Sequence, residues 1–132
     1  MTTNLILASN RKSSRRDIIV LSLRAFWFLY LGLIWFVSSL PGDSLPSINE
    51  ANIDKLFHFT EYFLLSFLGM LNYKNGMFKS FQLDDFLMLI VILAGLDEAH
   101  QLFIDNRSVS LFDVSANISG CIIAYFVMKG KK

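Results

Sequence analysis

Long apolar blocks separated by short polar stretches dominate the chain. Four blocks, at about 18–40, 56–73, 86–104 and 111–128, approach the roughly 20 residues that a membrane-spanning helix needs. The stretches between them are 41–53, 74–85 and 105–110, and the first begins with the turn signal Pro41-Gly42. Repeats and strand-like alternation are absent from the sequence. The pattern predicts an all-α polytopic membrane protein with four transmembrane helices in a small bundle.

Helices are expected because a segment inside a bilayer must satisfy its own backbone hydrogen bonds. A soluble helical bundle is the alternative, but it needs a polar face on each helix, and residues 25–37 offer only Tyr30 for one. A cleaved secretory signal peptide would also follow basic residues, although its apolar core is only about 7–15 residues long. We therefore predict that the first block is an uncleaved anchor.

Composition narrows the class of protein further. Hydrophobic residues make up 54% of the 132-residue chain and charged residues only 17%, against about 45–50% and about 25% in average globular proteins. The net charge of +1 argues against a nucleic-acid binder. The single cysteine, Cys121, excludes an internal disulfide and a cysteine-based metal site. We predict no cofactor and no metal.

The distribution of basic residues predicts the orientation, since lysine and arginine favour the cytoplasmic side of short loops. With four spans, the side that holds both termini carries ten of the twelve basic residues, and the other side carries only Lys55 and Arg107. We therefore expect a multi-pass protein of the bacterial cytoplasmic (inner) membrane with both termini cytoplasmic. The ten residues are Arg11, Lys12, Arg15, Arg16, Arg24, Lys74, Lys79, Lys129, Lys131 and Lys132.

The same assignment divides the chain and polarises its charge. Residues 1–17 form a basic cytoplasmic segment, 18–128 the transmembrane domain and 129–132 a basic cytoplasmic tail. The balance is +7 on the inside and −6 on the outside or in the outer leaflet, so the near-neutral total conceals two opposite ends. The acidic excess is the part that topology leaves unexplained.

Polar side chains collect at one depth of the predicted spans. At about 1.5 Å per helical residue, those of the second, third and fourth helices lie within about 10 Å of the outer helix ends. Charged groups inside a bilayer are costly and normally mark a functional cavity. The candidate cavity residues are Asp54, Lys55, His58, Glu61, Tyr62, Asp97, Glu98, Gln101, Arg107, Asp113 and Asn117.

Their spacing places these residues on shared helix faces. Asp54, His58 and Glu61 follow an i, i+4, i+7 pattern, which forms one stripe of a helix. The fourth helix repeats this pattern from Asp113. Its small residues at 116, 120 and 124 predict that a neighbouring helix approaches closely.

Individual residues allow more than one interpretation. His58 suits a general base or a metal ligand, and also a hydrogen-bonded packing residue. Arg107 suits a clamp for a phosphate or carboxylate, and also an ion pair with Asp105 or Asp113. His100 points away from the polar stripe, which favours a helix interface. The polar layer as a whole is either a cavity or a set of contacts that tie the bundle together.

Two motifs of the chain resemble those of the VanZ-like membrane proteins. The first is Asp54-Lys55-x-x-His58-Phe59-x-x-Tyr62-x-x-Leu65, and the second is Asp97-Glu98-x-x-Gln101-x-Phe103 followed by Arg107, Ser110, Asp113, Asn117 and Gly120. The resemblance covers roughly residues 34–124. Where the family often has a Pro-Gly pair before the arginine, this chain has Asp105-Asn106, which also favours a turn.

The resemblance implies a fold and a polar site but no catalytic assignment. The family takes its name from a protein linked to teicoplanin resistance. We predict a VanZ-like protein that binds a membrane lipid, a cell-envelope precursor or another lipid-linked ligand in an outward cavity, with glycopeptide susceptibility as its phenotype. The alternatives are a small enzyme acting on a lipid-linked phosphate or ester, and a structural or regulatory membrane partner. The sequence contains no established catalytic motif, which leaves open whether the protein is an enzyme.

Overall fold

Four helices form the chain in the computed structural model, which describes residues 2–44, 51–78 and 80–130, with side chains from Ser13 and from Ile53 in the first two ranges. The helices are α1 (Thr2–Ser38), α2 (Ala51–Lys74), α3 (Leu83–Gln101) and α4 (Leu111–Lys129), with a 3-10 turn at Gly42–Ser44. No strand occurs among these residues. The prediction of an all-α fold with four helices is confirmed. Lys79, Lys131 and Lys132, and the side chains of Arg11 and Lys12, lie outside the described residues.

The helices extend beyond or stop short of the predicted apolar blocks at several boundaries. Helix α1 begins at Thr2, so its 37 residues extend about 55 Å, well beyond the roughly 30 Å hydrocarbon core of a bilayer. The basic N-terminal segment therefore continues the first helix. Helix α3 ends at Gln101, three residues before the end of the predicted apolar block at 104, because the chain turns there towards Arg107. The division into residues 1–17, 18–128 and 129–132 stays a prediction.

Local sequence signals begin and end the helices. Ser110 caps α4: its hydroxyl accepts from the Asp113 amide at 3.3 Å, and an Asp113 carboxylate oxygen accepts from the Ser110 amide at 3.2 Å. This reciprocal capping box satisfies main-chain N–H groups that the helix itself leaves without acceptors. It was predicted from the serine and aspartate three residues apart. Helix α1 ends shortly before the Pro41-Gly42 turn.

Helices α2 and α4 pack closely because α4 presents small residues to α2. Gly120 and Ala124 are fully buried. A Cβ built on Gly120 would lie 2.8 Å from the main-chain nitrogen of Phe63 and closer still to the carbonyl oxygen of Phe59. Only a glycine therefore permits this approach. The prediction of a close helix contact at this ridge is confirmed.

The connections after α1 and α3 meet at one end of the bundle. The Gly42 amide donates to the Asp105 carbonyl at 3.0 Å, and the Asn106 side chain donates to Asp43 at 2.7 Å. At the opposite end, Lys74 donates to the Met128 carbonyl at 2.7 Å, joining the C-terminal ends of α2 and α4. The helices thus alternate in direction, and the described connection residues 39–44 after α1 and 102–110 after α3 lie at the same end.

The bundle buries polar side chains and exposes apolar ones. The buried polar residues are Ser38, Ser66, Asn72, Asp97, Glu98, Gln101, Asp113 and Asn117, while large apolar side chains of all four helices lie exposed. Within the described chain, two segments, Ser13–Ser38 and Leu111–Lys129, are long and apolar enough to span a membrane. Helix α3 carries four acidic residues, and α2 includes polar residues such as His58 and Asn72 within its apolar run, so length and composition alone do not select them.

Candidate functional site

A cavity of about 850 Å³ opens at the end of the bundle where the two connections meet. Its wall is built from the C-terminal end of α1, the N-terminal half of α2, the end of α3 and the connection into α4. The lining residues are Tyr30, Val37, Ser38, Gly42, Asp54, Lys55, Phe57, His58, Thr60, Glu61, Gln101, Asn106, Arg107, Ser108, Ser110 and Asp113.

Seven of the eleven predicted residues line this cavity, and the other four lie behind its wall. The lining set is Asp54, Lys55, His58, Glu61, Gln101, Arg107 and Asp113. Those behind it are buried: Tyr62, Asp97, Glu98 and Asn117. The fold therefore brings residues from three helices and one connection into one region, as a single polar layer requires.

Lys55 joins α2 to α4 through two carboxylates. Its ammonium nitrogen lies 2.6 Å from Asp113 Oδ1 and 3.2 Å from Asp54 Oδ2. Lys55 precedes the apolar segment of α2, and its hydrogen bond with Asp113 raises the pKa of the ammonium group above its usual value. The side chain of Asp113 is almost fully buried, so the lysine supplies the positive charge that a buried carboxylate needs.

His58 sits between a buried carboxylate and a more exposed one. Its Nδ1 lies 3.3 Å from Glu98 Oε1, and its Nε2 lies 3.8 Å from Asp54 Oδ1 on the cavity side. Asn117 donates to the same Glu98 oxygen at 2.8 Å. Glu98 is thus fixed by α4 beside the imidazole of α2. Its contact with Nδ1 does not have the geometry of a hydrogen bond, and Nε2 lies on the cavity side.

Arg107 binds the end of α1 rather than a carboxylate. Its Nη2 donates to the Val37 carbonyl at 2.6 Å and its Nε to the Leu40 carbonyl at 3.1 Å. The last carbonyls of a helix lack intrahelical donors and carry partial negative charge, so a guanidinium stabilises them. Neither of the two interpretations of Arg107 from sequence describes this contact.

A second polar group lies deeper, between α2 and α3. The Asp97 carboxylate is fully buried, and neither of its oxygens accepts a hydrogen bond of standard geometry among the described residues. The Tyr62 hydroxyl, equally buried, faces it through an electrostatic interaction. These two residues form an interior contact below the cavity.

Glu61 and Gln101 face the cavity from opposite sides. The Glu61 carboxylate forms no ion pair or hydrogen bond with the described residues, although Tyr30 donates to its main-chain carbonyl at 3.3 Å. Gln101 contacts Ser38 of α1 at 3.5 Å. Tyr30 was missed as a cavity residue, although it is the polar side chain in the otherwise apolar run 25–37. That isolation was the available signal.

His100 lies outside the cavity, as its position on the helix predicted. Its ring stacks on Trp35 with centroids 5.5 Å apart, and its Nε2 lies 3.0 Å from the Ser39 hydroxyl. It belongs to the α1–α3 interface.

Three side chains of the cavity wall form a potential metal-binding group. One ligand atom each from Asp54, His58 and Asp113 lies within 4.8 Å of the others. The sequence spacing related Asp54 to His58 on one helix, but it gave no indication that Asp113 joins them from α4. The prediction of no metal therefore stays untested.

Comparison with known proteins identifies the family. A family model described as VanZ/LLP1 matches residues 3–131, nearly the whole chain. The chain belongs to the VanZ/LLP1 family. The match extends beyond residues 34–124, to which the resemblance of the two motifs was confined. Neither the curated proteins nor the solved structures contain a match to this VanZ/LLP1 chain.

Both family-like motifs of this VanZ/LLP1 protein contribute to the same site. The first supplies the wall residues Asp54, Lys55 and His58 from α2, and the second supplies Asp113 of the wall from α4 and Glu98 behind it from α3. The contacts between them cross sequence separations of 40 residues or more, as in the pairing of Lys55 with Asp113. The two motifs are therefore halves of one structural unit.

Proposed function

We propose that the protein crosses the bacterial inner membrane four times, with both termini cytoplasmic. Exposed apolar side chains support this on every helix, including α2 and α3: Met88, Ile92 and Leu96 form an exposed stripe at four-residue spacing on α3. A soluble protein would cover such a stripe or replace it with polar residues. Within the apolar runs of α2 and α3, Glu61 lines the cavity while Asp97 and Glu98 are buried, so these charges do not face lipid.

The two ends of the bundle support the orientation. Arg24, Lys74 and Lys129 lie at the end where α2 and α4 finish, and Arg24 donates to the Asn75 carbonyl there at 3.3 Å. The acids around the cavity lie at the other end. Because basic residues favour the cytoplasmic side, the cavity then opens outwards.

We further propose that the cavity binds the polar head group of a lipid or cell-envelope component. The observation that carries this proposal is a cavity of about 850 Å³ with both acidic and basic walls in a bundle whose outer surface is apolar. That volume suits a small polar group. Hydrogen-bond donors and acceptors of the wall would hold the head group while its acyl chains stay in the bilayer.

Apolar side chains around the mouth support an amphiphilic ligand. Three Leu-Phe pairs surround this end, at the start of α2, after α3 and at the start of α4, and all six side chains are exposed. Such residues prefer the acyl or interfacial region to water. The polar cavity and an apolar surface for chains are thus adjacent. The pairs are Leu56-Phe57, Leu102-Phe103 and Leu111-Phe112.

Photo-crosslinking tests whether the cavity selects a lipid. Benzoylphenylalanine replaces Phe57, which lines the cavity, or Phe126, which faces outwards near the other end of α4. These side chains are matched, with 60% and 65% of their surface exposed. We expect the probe at position 57 to capture one lipid class in excess of its membrane abundance, and the probe at 126 to sample bulk lipid.

A cavity variant completes this test. Glu61→Gln alters a wall carboxylate that has no partner among the described side chains, so we expect it to change the lipid captured at position 57 without changing capture at position 126. Identical lipid profiles at both positions, in the parent and in the variant, would contradict head-group binding.

A small membrane enzyme is the second candidate, favoured by the orientation of His58. A buried carboxylate behind one ring nitrogen, with the other facing a cavity, is the arrangement of a general base. Purified protein would be assayed for release of phosphate or fatty acid from lipid phosphates and esters. Turnover that His58→Ala abolishes and His100→Ala leaves intact would support catalysis, while no turnover of either substrate class argues for binding alone.

The cellular phenotype follows from the family resemblance. We propose that loss of the protein alters the susceptibility of its host to teicoplanin. A deletion strain complemented with the parent or with Glu61→Gln would show whether any change depends on the cavity. Unchanged susceptibility and unchanged envelope lipids in the deletion strain would remove this part of the proposal.

A further inference from the structure

We propose that Asp54, His58 and Asp113 bind a divalent transition-metal ion in the cavity wall, and that Lys55 occupies the same position when the metal is absent. The inference deepens the proposed function, because it rests on the same outward cavity and gives its acidic wall a positive partner. The three side chains come from α2 and α4, and one ligand atom of each lies within 4.8 Å of the others. A metal ion at their centre therefore requires only small side-chain movements.

The Asp113 carboxylate is held so that one oxygen is bound by Ser110 and the other by Lys55. Its Oδ2 accepts from the Ser110 hydroxyl at 2.7 Å and from the Ser110 amide at 3.2 Å. Its Oδ1 points towards Lys55. The capping box thus fixes the orientation of the carboxylate, which reduces the ordering that metal binding would require.

Glu98 provides an independent indication of a ligand at His58. Only 3% of its side chain is exposed, it lies 3.3 Å behind His58 Nδ1, and its Oε2 has no hydrogen-bond partner among the described residues. Metal-binding histidines almost always donate their second ring N–H to such a carboxylate. His58 Nδ1 has no hydrogen-bond partner among the described residues, so a small rotation of the imidazole would let it donate to Glu98 and leave Nε2, the nitrogen on the cavity side, free to bind a metal.

Lys55 shows that this position holds a cation. Its ammonium nitrogen contacts both Asp54 and Asp113, two of the three proposed ligands. The lysine side chain is partly exposed and flexible, so it can turn into the cavity when a divalent ion arrives. A metal ion and this ammonium group compete for the same carboxylate oxygens.

The donor set indicates the class of metal. Two carboxylates and one imidazole suit Mn²⁺ or Zn²⁺ better than Mg²⁺, which prefers oxygen ligands alone. Three protein ligands leave coordination positions open towards the cavity. An anionic head group would fill these positions, so a wall rich in carboxylates could still bind a phosphate or carboxylate ligand.

Mn²⁺ binding to the purified chain in dodecyl maltoside tests the site. The detergent contains neither phosphate nor amine, and Mn²⁺ is added alone, with free ion measured by electron paramagnetic resonance. We expect the parent to bind a single Mn²⁺. His58→Ala should abolish binding, and Glu98→Gln should weaken it by about 10- to 100-fold, as for other outer-shell carboxylates. Lys55→Met should bind more tightly than the parent, because it removes the competing ammonium.

Matched variants keep the outcome decisive. Asp105→Asn removes an exposed carboxylate of the same end and should leave Mn²⁺ binding unchanged. Asp54→Asn removes a partly exposed ligand and keeps the test open where His58→Ala fails to fold, which thermal unfolding reports. The proposal is overturned when the parent binds no more Mn²⁺ than Asp54→Asn at millimolar metal, or when Lys55→Met binds less tightly. Either failure leaves lipid capture at position 57 to decide the head-group proposal separately.

Discussion

Arg107 shows how a residue next to the candidate site contributes to the fold. Its guanidinium joins the connection between α3 and α4 to the last carbonyls of α1. Arg107 and Val37, which this contact joins, both line the cavity. Arg107 therefore positions the wall whether or not it also contacts a ligand.

Arg107→Met should lower the free energy of unfolding in detergent. The variant removes two part-buried hydrogen bonds from a charged donor to main-chain carbonyls, and we expect a loss of about 1.5–3 kcal/mol. Arg15→Met, at an exposed position of α1, is the control and should change stability little. Equal stability of both variants would show that the contact with α1 contributes nothing.

Between elements, α2 and α4 determine the geometry of the site. Lys55 of α2 pairs with Asp113 of α4, while His58 of α2 and Asn117 of α4 approach the same Glu98 oxygen, so a shift of one helix along the other would disrupt both arrangements. Gly120 sets their distance, because its missing side chain allows α4 to contact the α2 main chain. The site depends on this packing as much as on its own residues.

Gly120→Ala should destabilise the bundle. The added methyl group would overlap the α2 main chain, which cannot move as a side chain could, and overpacking of this kind costs about 1–3 kcal/mol. Gly95→Ala is the matched control, because a Cβ at Gly95 meets nothing within 4 Å. We expect the melting temperature in detergent to fall for Gly120→Ala only. A melting temperature for Gly120→Ala equal to that of the parent would contradict the close packing.

The whole molecule combines a polar interior with an apolar exterior. Charged residues such as Asp97 and Glu98 lie buried, whereas Leu29, Met88 and Phe126 are exposed. Exposed apolar side chains are unfavourable in water but stable in contact with lipid. Polar groups inside the bundle are shielded from the lipid by the helices around them. The proposed membrane topology accounts for both halves of the distribution.

Cysteine labelling tests that topology. In a Cys121→Ala background, Asp105→Cys lies at the cavity end and Asn75→Cys at the opposite end, both at exposed positions. We expect a membrane-impermeant maleimide to label position 105 in intact spheroplasts and position 75 only after permeabilisation. The reverse pattern would show that the cavity end faces the cytoplasm. Labelling of both positions in intact spheroplasts would show that α3, which separates them, does not cross the membrane.

The sequence by itself determined the features that are local along the chain. Apolar blocks gave four helices, the Ser110 and Asp113 pair predicted a cap, and helical spacing predicted that Asp54 and His58 share a face. These features depend on neighbours within about two helical turns, where residue spacing fixes geometry. The same reasoning predicted the small-residue ridge around Gly120.

Only the tertiary structure decided which of these faces meet. The pairing of Lys55 with Asp113 and of His58 with Glu98, and the binding of Arg107 to the end of α1, join residues 40 or more positions apart. Spacing along one helix carries no information about the rotation or height of another helix, which depend on packing around residues such as Gly120. The sequence therefore predicted a polar layer, and the fold determined which of its charges form pairs.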